Sequence, residues 1–192
     1  MGILELGVAK RLIKFDNDRK TVLYIQQSKR YRYTDPEEQV RVKTYLELVL
    51  NYGYNPARIV LEAIVPDRTP NNLADIVIYN DDKCKDPYIV VECKQQEISD
   101  AEFVQAIEQG FGNANSLRAK YLWVTSGIKA VYFNIADFKP MEREANKIAD
   151  IPVFGSSKLL AAKYIKGGKD GFELEKVSEQ ELTRIFKQAH DA

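Results

Sequence analysis

Leu73-Ala74-Asp75-Ile76-Val77-Ile78-Tyr79 and Tyr88-Ile89-Val90-Val91-Glu92-Cys93-Lys94 flank a run of turn-forming residues, Asn80-Asp81-Asp82-Lys83-Cys84-Lys85-Asp86-Pro87, and read as the two arms of a β-hairpin. Side chains two apart on a strand share a face. Along the second arm, Tyr88, Val90, Glu92 and Lys94 lie on one face and Ile89, Val91 and Cys93 on the other. The arm is apolar on both faces over most of its length, as central strands are, so two charges at its end need a reason. Along the first arm, Asp75 is the sole charge, on the face of Leu73, Val77 and Tyr79. With the loop at Asn80 to Pro87, Tyr79 faces Tyr88 and Asp75 falls opposite Glu92.

Opposed side chains in a sheet have Cβ atoms ~4.5–5.5 Å apart, and like charges so placed repel. Such a pair asks for a proton or a cation. A divalent cation taking one oxygen from each carboxylate is the economical answer. Hard oxygen donors with no histidine nearby favour Mg2+, with Mn2+ as a substitute, over zinc. Lys94 would place an ammonium beside that cation, where it can give up its proton or orient an attacking water. Glu-x-Lys by itself carries little weight in a chain with 28 basic and 28 acidic residues. Its weight here comes from ending an apolar strand, with Asp75 one arm earlier.

Outward from the hairpin, Arg58 to Val65 is a third strand ended by Pro66. Before it, Asp35 as N-cap, Pro36 at the first helical position and Glu38 closing a capping box open a helix. That helix continues through Val42, Tyr45, Leu46, Val49 and Tyr52 to Gly53. Glu38 shares the inward face with Val42 and Tyr45, which makes it a site candidate as well as a capping acid; Glu37 does not share that face. Lys20 to Tyr33 reads as an edge strand or two, and Lys29-Arg30-Tyr31-Arg32-Tyr33 interleaves basic and aromatic residues as single-strand binders and charge-guarded edges both do. After the hairpin, Ser99-Asp100-Ala101-Glu102 caps a helix with the stripe Phe103, Ala106, Ile107, Phe111, Ala114 and Leu117, weakened by Gly110 and Gly112. Tyr121 to Thr125 and Lys129 to Ile135 are further strands, and Ser178 to Ala189 a final amphipathic helix. The expected architecture is one α/β domain over 1–192, a mixed central sheet flanked by helices with an α-β-β-β-α-β core. The core spans about 20–135, with an extension over 136–192 packed on it.

Composition removes several classes. The longest apolar runs fall far short of the ~20 residues of a membrane span. The start lacks the pattern of a secretory leader, so a cytoplasmic location is expected. Two cysteines are too few for a disulfide scaffold or a four-thiolate zinc site. The one histidine, His190, argues against a His-based triad, a zincin or an HNH nuclease. Net charge is zero, yet residues 1–35 carry +4 (eight Lys/Arg, four Asp/Glu) and 67–100 carry −4 (four against eight). A basic flank beside an acidic centre fits a protein that grips a polyanion while holding a cation, and it fits scattered surface charge equally.

Asp75 followed by Glu92-Cys93-Lys94 at the end of an apolar strand resembles the PD-(D/E)XK nuclease signature. The fuller pattern is Pro36-Glu37-Glu38 with Val40-Arg41, Ala74 to Tyr79, Ile89 to Lys94, and Ala119-Lys120-Tyr121-Leu122 with Val124-Thr125. It resembles the N-terminal nuclease domain of the restriction subunit of type I restriction enzymes over roughly residues 20–135. The resemblance implies a restriction-endonuclease-like fold and Mg2+-dependent cleavage of DNA. By it, Asp75 and Glu92 hold metal, Lys94 assists the water and Glu38 contributes from the first helix. The family's Gln-x-x-x-Tyr element aligns its Gln with Gln109 but finds Asn113 in place of the Tyr. No GxxxxGK[ST] loop is present. The chain therefore reads as a stand-alone relative, with motor or specificity subunits encoded elsewhere and a homodimer if both strands are cut. The alternative is a nuclease-fold module that binds nucleic acid or a partner without catalysis.

Overall fold

Helix α1 (Ile3–Ala9) leads into strands β1 (Ile13–Phe15), β2 (Thr21–Tyr24) and β3 (Lys29–Arg32), which form a small antiparallel sheet of their own in that order. The basic-aromatic stretch is thus an edge of a separate sheet. In this computed structural model, residues 2–66, 72–135 and 145–155 are described. The chain divides into two compact units, Met1–Ser156 and Ser157–Ala192, and all described residues lie in the first. Apart from 145–155, the expected extension over 136–192, with its final helix, lies outside the described residues.

Helix α2 (Pro36–Leu50) begins as its sequence requires: Asp35 accepts the Glu37 N–H at 3.0 Å and Pro36 occupies the first turn. It is followed by a 3-10 turn (Pro56–Arg58) and by β4 (Ile59–Val65), β5 (Asn72–Tyr79) and β6 (Pro87–Cys93). Helix α3 (Asp100–Leu117) opens on the Ser99/Glu102 capping box and crosses over to β7 (Tyr121–Thr125), β8 (Ala130–Asn134) and β9 (Lys147–Ile148). α3 continues through Gly110 because the glycine lets it approach the sheet: a Cβ there would stand 2.8 Å from Leu122 Cδ1.

The six-stranded sheet runs β4-β5-β6-β7-β8-β9, and β6 with β7 is its parallel pair, as a helical crossover demands. The expected order of helix, three strands, helix and two strands is therefore present, in a mixed α/β fold of restriction-endonuclease-like architecture. One face of the sheet buries Ile76, Ile78, Ile89 and Val91 against Val42, Tyr45 and Leu46 of α2 and Tyr24 of the small sheet. The other buries Val77, Val90, Leu122 and Val124 against Ala106, Phe111 and Ala114 of α3. Each face removes enough apolar area from water to anchor its helix.

The hairpin register is as expected where it matters and slips where it does not. Ile76 faces Val91, Val77 faces Val90 and Ile78 faces Ile89, so Asp75 comes next to Glu92. At Ile78/Tyr79 the register shifts and Tyr79 faces Pro87 rather than Tyr88. The loop causes this by closing on itself, with Asn80 N–H donating to the Asp86 carbonyl at 2.9 Å and Asp81 Oδ1 accepting from Lys85 and Asp86.

Candidate active site

The middle of β5, the end of β6, the first turns of α2 and one face of α3 meet at Asp75 and Glu92. Asp75 Oδ2 accepts the Cys93 N–H at 2.7 Å, a bond from the neighbouring strand that fixes one side of the carboxylate. Glu92 is 1% exposed. Its Oε1 accepts from Lys94 Nζ at 2.8 Å and its Oε2 from Asn113 Nδ2 at 3.4 Å. Lys94 Nζ also stands 3.9 Å from Glu37 Oε2. The Lys94 backbone is held by β7, its N–H donating to the Thr125 carbonyl at 2.9 Å, so the Glu92-Cys93-Lys94 segment is a rigid continuation of the sheet.

Burial pushes the Glu92 carboxyl up, and the adjacent Asp75 charge adds to it against the pull of Lys94; its pKa reaches about 8. Burial likewise raises Asp75, opposed by the Cys93 N–H and by Arg41. The buried Glu92 carboxyl and the partly buried Asp75 carboxyl are adjacent hard oxygen donors, and the Asp75 charge raises the proton affinity of Glu92. Among the described residues no group of three or more His, Cys, Asp or Glu is arranged to hold a metal ion. Asp75 and Glu92 are the residues that could hold Mg2+, an ion that takes one or two protein carboxylates and keeps water and phosphate oxygens in the rest of its shell. The residues fit the ion. Burial works against the Lys94 ammonium, but the carboxylates of Glu92, Glu37 and Asp75 outweigh it and its pKa stands above the ordinary value. Lys94 is therefore held as an ammonium that donates to Glu92.

The remaining sequence candidates fall elsewhere. Glu38 does not close a capping box: its side chain turns inward, 2% exposed, where Oε1 accepts from Tyr24 Oη at 2.7 Å and Oε2 from Arg41 Nε at 2.8 Å. A buried carboxylate needs partners, and the N-cap N–H offers less than a guanidinium and a phenol. Glu37, the neighbour expected to matter little, is the one beside Lys94. Gln109, half-buried one turn before Asn113 on α3, makes no hydrogen bond to Asp75, Glu92 or Lys94. Asn113, the departure from the expected Tyr, is the α3 residue that touches the site. Of the basic stretch, Lys29 donates its ammonium to the Leu61 carbonyl, while Arg30 and Arg32 are exposed. Arg41, three residues from Glu38, lies 3.7 Å from Asp75 Oδ1 and pairs with Glu62 at 3.2 Å; the i, i+3 spacing signals Arg41 in the sequence, and nothing local signals Glu62.

No helix among the described residues is long and apolar enough to cross a membrane. No curated protein and no solved structure matches the chain significantly. A family model described as type I restriction enzyme R protein N terminus matches residues 36–152, from the first residue of α2 to just beyond β9. The match leaves the small β1–β3 sheet outside and takes in every residue of the Asp75/Glu92 site. With well over half of its 192 residues inside that match and the family's expected sheet built around it, the chain belongs to the type I restriction enzyme R protein N-terminal family.

Proposed function

We propose that the protein is a metal-dependent endonuclease that hydrolyses DNA phosphodiester bonds. A nuclease-related role comes with the family. The finer reading is carried by one observation: the carboxylates of partly buried Asp75 and buried Glu92 side by side on paired strands, with Lys94 Nζ 2.8 Å from Glu92 Oε1. When bound by these carboxylates, Mg2+ supplies Lewis-acid stabilisation of charge developing on the scissile phosphate. The chain's own residues do the rest. Asp75, held by the Cys93 N–H, keeps a fixed oxygen toward the ion. Glu92, excluded from bulk water, cannot rotate away because Lys94 and Asn113 hold both of its oxygens. Lys94 presents its remaining N–H bonds to the attacking water and orients it toward phosphorus. Arg30 and Arg32, exposed on β3, are available to the DNA backbone.

One site per chain cuts one strand, so double-strand cleavage calls for a homodimer or two encounters, and motor or specificity subunits would be separate chains. The test is nicking of supercoiled plasmid with Mg2+, Mn2+ or EDTA. Metal-dependent conversion to open circle, lost in Asp75→Asn, is the expected result, and persistence of cutting in EDTA refutes the reading. The rival is a non-catalytic module of the same fold. Asn113 favours it, because it stands where the family has a tyrosine and donates to Glu92 at 3.4 Å. That module would show no Mn2+ heat dependent on Asp75 by calorimetry.

A further inference from the structure

Glu62 has left-handed backbone, φ +50, in the middle of β4. The other described non-glycine residues with positive φ lie in turns or at the end of a helix. An L-residue in this conformation inside a strand is unfavourable and persists where its surroundings demand it. The β4–β5 ladder opens at this point: Leu61 pairs with Ile76 and Ala63 with Ala74, and the pair between them, Glu62 and Asp75, is missing. Two interactions use the opening. The Leu61 carbonyl accepts the Lys29 ammonium from β3. The Glu62 carboxylate swings toward α2, where Oε1 accepts from Arg41 Nη1 at 3.2 Å.

The Arg41 guanidinium is held on every side. Nε and Nη2 donate to Glu38, Nη1 donates to Glu62, and the Tyr31 ring lies against it at 4.5 Å. Its planar fork leaves little freedom once two carboxylates are engaged. Asp75 is not one of those bonded partners. Its Oδ1 stands 3.7 Å from Arg41 Nη1, too far for a hydrogen bond and close enough for attraction. The guanidinium is therefore aimed by Glu38 and Glu62 and presented to Asp75, whose other oxygen is taken by the Cys93 N–H.

We propose that Glu62 and Arg41 are positioning residues, and that Glu62, acting through Arg41, fixes the Asp75 carboxylate in the orientation in which it holds a divalent cation. The proposal rests on the metal-dependent reading above. It accounts for a carboxylate in left-handed backbone at the open pair across from Asp75.

The experiment is calorimetric titration of Mn2+ into the wild type, Glu62→Ala and Glu62→Gln, with thermal melting of each. Neither variant is glycine, so both keep the backbone cost, and Gln keeps an oxygen for Arg41. Loss of an outer partner of a metal-binding carboxylate typically weakens affinity about 10–100-fold, so Glu62→Ala should weaken Mn2+ binding at least about tenfold while Glu62→Gln stays within about threefold. Equal losses in both variants would mean that Glu62 acts by charge alone and would overturn the proposal. So would a lower melting temperature of Glu62→Ala with unchanged Mn2+ affinity, the mark of a purely structural role. Absence of Mn2+ binding by the wild type would overturn the metal reading itself, and the proposal with it.

Discussion

Replacing Glu92 by glutamine should abolish cleavage and make the metal-free protein more stable. In the fold this carboxyl titrates near 8, against 4.5 for the unperturbed group. Because the folded value is the higher one, the associated stability is fully present below about pH 4.5 and is lost as pH rises through 8. At pH 7 the unfolded chain has released the proton and the folded one has largely kept it. At ~1.4 kcal/mol per pH interval of 1, this costs the wild type about 3 kcal/mol. Glu92 is 1% exposed, so solvent screens little of this. Glutamine has the same shape, no proton to lose, and an oxygen that can still accept from Lys94. The gain corresponds to a rise in melting temperature of about 6–12 °C for a chain of this size. The assay is thermal melting of both proteins in EDTA from pH 4 to 8.5, read beside plasmid nicking. The difference should vanish near pH 4 and grow steadily toward pH 8. Mn2+ should close the gap by stabilising the wild type and not the variant, since a ligand that binds the folded state raises its stability. A pH-independent difference, or a variant that melts below the wild type at pH 8, would refute the paired-carboxylate argument.

Three further outcomes follow from the geometry. Lys94→Ala should keep Mn2+ stabilisation while nicking falls about 10²–10⁴-fold, because its ammonium serves the water and not the ion; equal loss of Mn2+ binding would contradict this. Glu38→Gln should cost about 3 kcal/mol in urea unfolding by leaving Arg41 under-compensated in the interior, whereas Glu37→Gln, on a partly exposed side chain beside Lys94, should leave the unfolding midpoint nearly unchanged. Charge reversal at Arg30 and Arg32 should weaken DNA binding and reduce its salt dependence by about one phosphate contact each. Lys29→Ala should instead lower stability with the salt slope intact, since its ammonium is committed to the Leu61 carbonyl.

Much of the site was legible in one dimension. The alternation of Tyr88 to Lys94 and the loop length before it put Asp75 beside Glu92. The slip at Tyr79 left that pairing untouched because it occurs at the turn end of the hairpin, away from the carboxylates. The capping residues Asp35 and Ser99 marked the starts of α2 and α3. Other features depended on which segments meet. Glu38 had the sequence signature of a capping acid and sits instead between Tyr24 and Arg41, because β2 happens to pack against α2. Of the small sheet, β2 and β3 were legible in the stretch from Lys20 to Tyr33, whereas β1 and the separation of these strands from the main sheet were not.

By itself, then, the amino-acid order determined the succession of elements from α2 to β8 and the central hairpin that carries Asp75, Glu92 and Lys94, since each follows from periodicities of two or ~3.6 residues and from turn chemistry within a short window. Tertiary structure alone decided the surroundings of those residues. Which of two adjacent glutamates reaches Lys94, what Asn113 does in place of a tyrosine, and how Glu62 aims Arg41 at Asp75 all depend on side chains brought together from β3, α2, β4 and α3. A hydrogen bond or ion pair forms over a few ångströms of space, and no local pattern records which distant segments will share that space.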